Sequence, residues 1–272
     1  MRRRSVLGLA GGAAATLTGG ALASTLGGES TPDAPEARAL VAGSLLRVAR
    51  SVPDGTVEAH GSAAVNRLVR EGARRPDAVA LADPVLFEGV CDQATLFATN
   101  ALVLAYDPDG PHADAIRTDW RAVADPGVRV GRTDPENDPL GYRTVMAMDL
   151  AGLGGALDGS VVLREVDLAS VLAGGRLDAA FVYRSMAVQH DLPSVPLPAD
   201  IDFSDPDRAE AYADASYDLP ERTVRGAPIR YGVGVRTDRG TSWARRLATG
   251  TDRLREAGFT VPDGYPRDVP VG

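Results

Sequence analysis

No lysine occurs anywhere in the 272 residues, and all 29 basic side chains are arginine. A phosphate loop of the G-x-x-x-x-G-K-[ST] kind, which sets its Lys on the phosphates, is thereby excluded. Only one cysteine, Cys91, is present, so no intrachain disulfide and no cysteine-based metal site can form. A lone cysteine of this kind is expected as a small buried apolar residue. The three histidines, His60, His112 and His190, are scattered, with no H-E-x-x-H pair, and there is no G-x-S-x-G nucleophile elbow. Basic excess is lacking too. The formal net charge of −8 argues against a general binder of nucleic acid or of anionic membrane surface. Any bound anion must then be held by local dipoles and not by the overall field.

What is present describes a globular chain. With 44% hydrophobic and 24% charged residues it is not disordered, and its length suits one large domain or two modest lobes. The Arg-for-Lys bias, with abundant Ala, Gly, Asp and Val, is what a GC-rich genome produces, and the acidic excess suits a salt-rich medium. Residues 1–23 are expected to be an export signal. Arg2, Arg3 and Arg4 open it, Arg3-Arg4-Ser5-Val6-Leu7 resembles the twin-arginine pattern, and Ala21-Leu22-Ala23 is a small-residue cleavage site. An uncleaved anchor helix is the alternative, which Gly8, Gly11, Gly12, Gly19 and Gly20 weaken. No cysteine follows the signal, so the usual lipid anchor is not expected. Residues 24–38 are expected to be a flexible leader rich in Gly, Ser, Thr and Pro.

From Ala39 onward, short β-like runs alternate with helical ones. Ala39–Ala42, Thr56–His60 and Ala78–Leu81 are apolar or alternating runs, and the first two are each followed by a Gly-Ser pair and a helical pattern. A second series runs through Val128–Gly131, a helix opened by Asp138-Pro139, a helix from Glu165, and the strand Ala179–Tyr183. Ala101–Tyr106 reads as a buried strand or a crossover. Ile229–Val235 reads as a returning strand and Ser242–Ala257 as a closing helix with Trp243, Leu247 and Leu254 on its core face. This rhythm predicts an α/β fold with mostly parallel sheets flanked by helices. In such sheets ligands sit beyond the carboxyl ends of the strands. Ser44 and Ser62 fall at those places, either as donors to an anion at a helix start or as plain N-caps.

Several longer strings carry a resemblance. They are Ala42-Gly43-Ser44-Leu45, Glu58-Ala59-His60-Gly61-Ser62-Ala63-Ala64, Ala82-Asp83, Phe97 through Tyr106, Asn137-Asp138-Pro139-Leu140-Gly141-Tyr142-Arg143, Phe181 through His190, Leu197 through Asp202 and Ile229 through Val233. In this order they resemble the archaeal-type tungstate/molybdate-binding proteins of ABC importers, over most of the chain after Ala39. The resemblance implies a two-lobed, type II periplasmic-binding-protein-like fold with a hinge. Lobe 1 would comprise residues 39–99 and 228–272, and lobe 2 residues 100–227. It also implies that Ser44, Ser62 and Tyr183 hold the oxygens of the anion while Asp138 and Glu165 approach its Mo or W centre, with Asp167 the alternative to Glu165. Leu140 stands where the family often has Cys, and the stretches between Ser44 and Ser62 and between Tyr142 and Glu165 are shorter than the family pattern.

The expected function is therefore an extracellular capturing subunit, a monomer that delivers tungstate or molybdate to a membrane permease. It would be no enzyme and would need no cofactor beyond that ligand. Three rivals stand beside it. A sulfate or phosphate binder lacks a use for the two acids. A secreted serine hydrolase built on Ser62 and His60 lacks an orienting acid at recognisable spacing. A non-binding relative would follow if the shortened stretches had cost the site.

Overall fold

The computed structural model of the protein describes residues 36–220 and 222–271. The export signal expected over residues 1–23 and the leader up to residue 35 lie outside the described residues. Ala37 and Arg38, expected in that leader, already belong to the first strand.

The first strand–helix series is β1 (Ala37–Ala42), α1 (Leu46–Arg50), β2 (Gly55–His60), α2 (Ser62–Arg70) and β3 (Ala78–Leu81). Two strands the sequence left unassigned or ambiguous follow in direct succession, β4 (Gln93–Thr99) and β5 (Leu102–Tyr106). After α3 (Ala113–Thr118) the second series runs β6 (Val130–Thr133), α4 (Pro139–Leu150), β7 (Val161–Leu163), α5 (Glu165–Ala173), β8 (Ala179–Tyr183), α6 (Arg184–Gln189) and β9 (Ser194–Pro196). The chain then forms α7 (Ala209–Tyr212), a hairpin of β10 (Ser216–Leu219) and β11 (Arg222–Arg225), β12 (Arg230–Val235), α8 (Thr241–Ala248), α9 (Thr251–Glu256) and β13 (Arg267–Pro270). The single helix expected over Ser242–Ala257 is thus two helices. The break falls at Thr249-Gly250, where glycine is a poor helix former, and Leu254 re-enters the core beyond it.

Apart from the β10-β11 hairpin, the strands form two sheets, ordered β13-β4-β12-β3-β1-β2 and β7-β6-β8-β5-β9. Both repeat one pattern: a strand with parallel neighbours on either side (β1 between β2 and β3, β6 between β7 and β8), then two antiparallel pairings through β12 or β5. β13 adds one more antiparallel strand to the first sheet. Each sheet is mixed, which corrects the expectation of mostly parallel sheets. The reason is topological. Helical crossovers keep β1–β3 and β6–β8 parallel, whereas β5 enters its sheet straight from β4 and β12 comes back from the second sheet. A strand arriving from the other sheet begins at the end where the parallel strands finish, so it runs against them.

The main core covers both sheets and includes Phe97, Phe181, Tyr183, Tyr231 and Trp243. A smaller cluster of Leu40, Val65, Val69, Leu86 and Phe87 lies under α2. Cys91 sits at its margin, partly exposed, with Sγ donating to Gln93 O at 3.1 Å, so it is less buried than expected.

A buried aspartate precedes the third parallel strand of each sheet. Asp77, before β3, accepts the Arg38 N–H at 2.9 Å and the Thr237 hydroxyl at 2.7 Å. Asp178, before β8, accepts the Arg129 N–H at 2.7 Å and its guanidinium at 2.7 Å. Burial pulls the Asp77 carboxyl upward, but the Arg38 N–H, the Thr237 hydroxyl and the Arg38 and Arg239 guanidinium groups outweigh it and hold the pKa below its ordinary value. Its stabilisation is therefore complete above the unfolded pKa of about 4 and is lost as the pH falls through the lower native value. Asp77→Ala is expected to cost about 2–3 kcal/mol at pH 7, since it strands buried donors. In denaturant titrations the gap to wild type should narrow at acid pH; a gap that stays constant down to pH 2.5 would rule this account out.

Candidate ligand-binding site

The carboxyl ends of the parallel strands of both sheets converge. β1 leads into Gly43-Ser44, β2 into Gly61-Ser62 and β3 into Ala82-Asp83. On the other side β6 leads towards Asp138, β7 into Arg164-Glu165, and β8 ends at Tyr183. All five residues singled out in the sequence, Ser44, Ser62, Asp138, Glu165 and Tyr183, are buried at this junction.

Asp138 is the N-cap of α4, with Pro139 at the first helical position, where its missing N–H costs nothing. Its Oδ1 accepts the Gly141 N–H at 2.9 Å and the Thr133 hydroxyl at 2.7 Å. Glu165 opens α5, and its Oε2 accepts the Gly43 N–H of the first sheet at 2.8 Å. Asp167, the alternative acid, is turned outward to Arg164 at 2.6 Å. The glycines of the two Gly-Ser pairs have a steric purpose. A Cβ on Gly43 would lie 2.7 Å from Glu165 Oε2, and one on Gly61 would strike Asn137 O and the Asp138 side chain. Only glycine lets the second sheet's acids come this close.

Neither serine caps its helix: Gly61 occupies that position for α2, and Ala42 and Leu45 occupy it for the short turns around Ser44. The Ser62 hydroxyl instead accepts the Ala82 N–H at 3.0 Å, and Ser44 Oγ lies 3.0 Å from Tyr231 Oη. Tyr183 Oη accepts from Arg143 Nη1 at 2.9 Å.

Asp83, Tyr142, Arg143 and Tyr231 were not assigned a role from the sequence. Arg143, only 2% exposed, also donates to Ala82 O at 3.0 Å and to Asp83 Oδ2 at 3.1 Å, and the Tyr142 hydroxyl donates to the same Asp83 oxygen at 2.6 Å. The available signal was the string from Asp138 to Arg143: a cap at Asp138 puts positions 142 and 143 one turn into α4, beside the strand ends. His60 is the reverse case. Its Nε2 is bonded to Glu58 at 2.8 Å on the surface, while the Ser62 hydroxyl is engaged with Ala82. A cavity of about 370 Å³ opens beside the junction, lined by His60, Gly61, Asn137, Asp138, Arg164 and Glu165 among others.

The electrostatics are unusual. Among the described residues Arg143 is the one buried basic side chain, and Asp83 matches it, so nothing neutralises Asp138 and Glu165. Burial pushes Asp138 up to about 7, against the pull of its Thr133 and Gly141 hydrogen bonds. Burial and then the charge of Asp138 push Glu165 up to about 8. Hydroxyls and amides facing two carboxylates form a site that can grip anionic oxygens and, at the same centre, offer oxygen ligands to a Lewis-acidic atom.

Comparison with known proteins agrees with this architecture. The profile of the bacterial extracellular solute-binding protein family matches residues 53–259. A Haloferax volcanii protein, assigned by name as an ABC transporter molybdenum-binding protein, is 44% identical over 98% of this chain and 95% of its own length. The molybdate/tungstate-binding protein WtpA of Thermococcus kodakarensis is 31% identical over 60% of this chain and 57% of its own. Among solved structures, the Azotobacter vinelandii periplasmic molybdate-binding protein superposes with a TM-score of 0.62 at 15% identity, covering 84% of this chain and all of its own. The sulfate-binding protein SubI of Mycobacterium tuberculosis gives 0.56 at 14% identity, over 84% of this chain and 88% of its own. These structural likenesses establish the type II periplasmic-binding-protein fold.

A carboxyl whose pKa rises on folding holds its proton more tightly in the native state. Its ionisation therefore costs stability only above the unfolded pKa, and in full above the native one. Glu165→Gln and Asp138→Asn should raise the Tm of the ligand-free protein at pH 8.5, by about 2–4 °C per kcal/mol gained. Near pH 4 they should leave it unchanged. Equal Tm values for wild type and both variants at pH 8.5 would show that the carboxylates are not held together as described.

Proposed function

The chain belongs to the bacterial extracellular solute-binding protein family, and from that premise we propose that it captures molybdate or tungstate for an ABC importer and delivers the anion to a membrane permease. One observation carries the ligand class: Asp138 and Glu165 are buried together, with no basic side chain among the described residues to neutralise them, against the Gly43 N–H and a set of hydroxyls. The names of the Haloferax and Thermococcus relatives support the same ligand.

Two acids facing a dianion repel it in a dry cleft. Tungsten and molybdenum accept oxygen ligands beyond their four oxo groups, so for these anions the acids coordinate the centre and repulsion becomes bonding. Sulfur and phosphorus at the centre of sulfate and phosphate do not. The same pair thus draws in the rare anion and turns away the abundant ones. In this reading Ser44, Ser62 and Tyr183 donate to the oxo groups, and Asp138 and Glu165 bind the metal centre of the cargo. Capture needs no bond-breaking step, so the protein works as a binder and not as an enzyme. The hydrolase alternative loses support from Ser62, whose fully buried hydroxyl is engaged with the Ala82 N–H while His60 is turned to Glu58 on the surface.

The two sheets serve as the cores of two lobes, residues 39–99 with 228–272 and residues 100–227. These close by hinge motion over the segments that cross between them. The contact of Gly43 with Glu165, and of Ala64 N–H with Asn137 O at 2.9 Å, are what closure would form. Export through the twin-arginine-type segment at Arg3-Arg4 would place the protein outside the cell, where it would act as a monomer. No helix among the described residues is long and apolar enough to cross a membrane.

Calorimetric titration of the mature protein in high salt tests this directly. Tungstate and molybdate are expected to bind tightly and sulfate not measurably. Asp138→Asn and Glu165→Gln should weaken tungstate by roughly tenfold to a hundredfold, the equivalent of one charge-assisted contact. If sulfate binds as tightly as tungstate and Asp138→Ala strengthens it, the protein is a sulfate-type binder instead.

A further inference from the structure

Arg143 is well placed for the site yet behind it. Its guanidinium is clamped from three sides: Ala82 O at 3.0 Å, Asp83 Oδ2 at 3.1 Å, and the Tyr142 ring with its centroid 5.6 Å from Cζ. Asp83 is itself fixed by the Tyr142 hydroxyl at 2.6 Å. The remaining direction of Nη1 is spent on Tyr183 Oη at 2.9 Å.

We propose that Arg143 is a positioning residue for anion capture: its clamped guanidinium forces the Tyr183 phenol to act as a hydrogen-bond donor towards the bound oxyanion. The proposal rests on the capture reading above. It follows from donor and acceptor counting. Arginine carries only donors, so in this contact Tyr183 Oη must accept, and its single proton has to point elsewhere. Among the described residues Arg143 is the one hydrogen-bond partner of that oxygen. The phenol proton is thus left for a ligand oxygen, and a guanidinium behind the oxygen makes that proton a stronger donor. Ser62 is treated the same way. Its Oγ accepts the Ala82 N–H, which leaves its own proton to give, so the Ala82 peptide backs both donors, Ser62 through its N–H and Tyr183 through its carbonyl and Arg143.

The arrangement spans the two sheets. Ala82 and Asp83 follow β3 of the first sheet, whereas Arg143 and Tyr183 belong to α4 and β8 on the second. The guanidinium is held at all its contacts only where the sheets meet, so the donor is aligned by the same approach that brings Glu165 to Gly43. Tyr183 would then be a fixed donor in the closed protein and a free rotor in an open one.

A double-mutant cycle on tungstate affinity separates this role from a plain structural or field effect. Tyr183→Phe and Arg143→Gln are each expected to weaken tungstate about tenfold. Arg143→Gln should change it less than about twofold when Tyr183 is already Phe, because the group it acts through is gone. Arg143→Lys, which like arginine is charged and only donates where glutamine can also accept, should recover part of the loss with Tyr183 present and none with Phe. If Arg143→Gln does not fold, Asp83→Asn, which loosens the same guanidinium, is put through the same cycle. Full additivity of either pair overturns the proposal while leaving the capture function intact. A wild-type chain that binds no tungstate sinks the capture function, and the role of Arg143 with it.

Discussion

Two carboxylates buried at one junction, with no basic side chain among the described residues to neutralise them, are an arrangement that folding alone would not select. Taking such groups out of water costs several kcal/mol each unless hydrogen bonds replace the lost hydration. The structure offers partial replacement from the backbone: Gly141 N–H to Asp138 and Gly43 N–H to Glu165. These are the amides left unpaired at a helix start and at a strand end, the groups best placed to meet an anion. The compensation is incomplete, which is why both carboxyls titrate above the usual range. The glycines at 43 and 61 let those acids approach the first sheet, and Asp83 absorbs the charge of Arg143.

The two sheets share a strand pattern without a shared sequence, and the site uses that symmetry unevenly. Ser44 follows the central strand of the first parallel set as Asp138 follows that of the second. Ser62 and Glu165 stand after the flanking strands β2 and β7, and Asp83 and Tyr183 end the third pair. Equivalent positions thus carry donors at two of three places on one side and acids at two of three on the other. The fold presents six strand ends to one point, and the residue types placed there decide whether the point grips oxygens or a central atom. The buried aspartates before β3 and β8 repeat at the opposite ends of the same strands, each holding the N–H of an arginine near the start of the central strand.

The strand–helix alternation was legible in the sequence because it depends on local rules, whereas the roles expected of Asp138, Glu165 and Tyr183 came from the family resemblance. Apolar runs followed by Gly-Ser mark a strand end and a helix start, and Asp-Pro marks the cap of α4. Glu165 and Asp167 both lie in the first turn of α5, and sequence spacing alone did not say which points inward; the junction with Gly43 selects Glu165. What was not legible is non-local. The antiparallel entry of β5 and β12 depends on which sheet a strand comes from, and the pairing partner carries no mark in either segment. The break at Gly250 was read through because the apolar face continues past it to Leu254. The role of Arg143 was hidden for a related reason. Its three partners, at positions 82, 83 and 183, lie some 40 to 60 residues away along the chain.

The overall charge raises a last question, how a chain with a formal charge of −8 attracts a dianion at all. At dilute ionic strength the mean field would oppose approach, and the two acids of the cleft, counted in that charge, would act at the shortest range. In a salt-rich medium that objection fades, because at about 1 M the Debye length is only about 3 Å and distant charges are screened. What survives screening is whatever acts at contact distance, which in the reading proposed above is amide and hydroxyl donors on the oxygens and carboxylate oxygens on the central atom. Long-range attraction would serve every anion equally and so discriminate against none. A site that forgoes it, and spends its short-range bonds on a centre able to take extra ligands, keeps its selectivity in the presence of a large excess of simple anions.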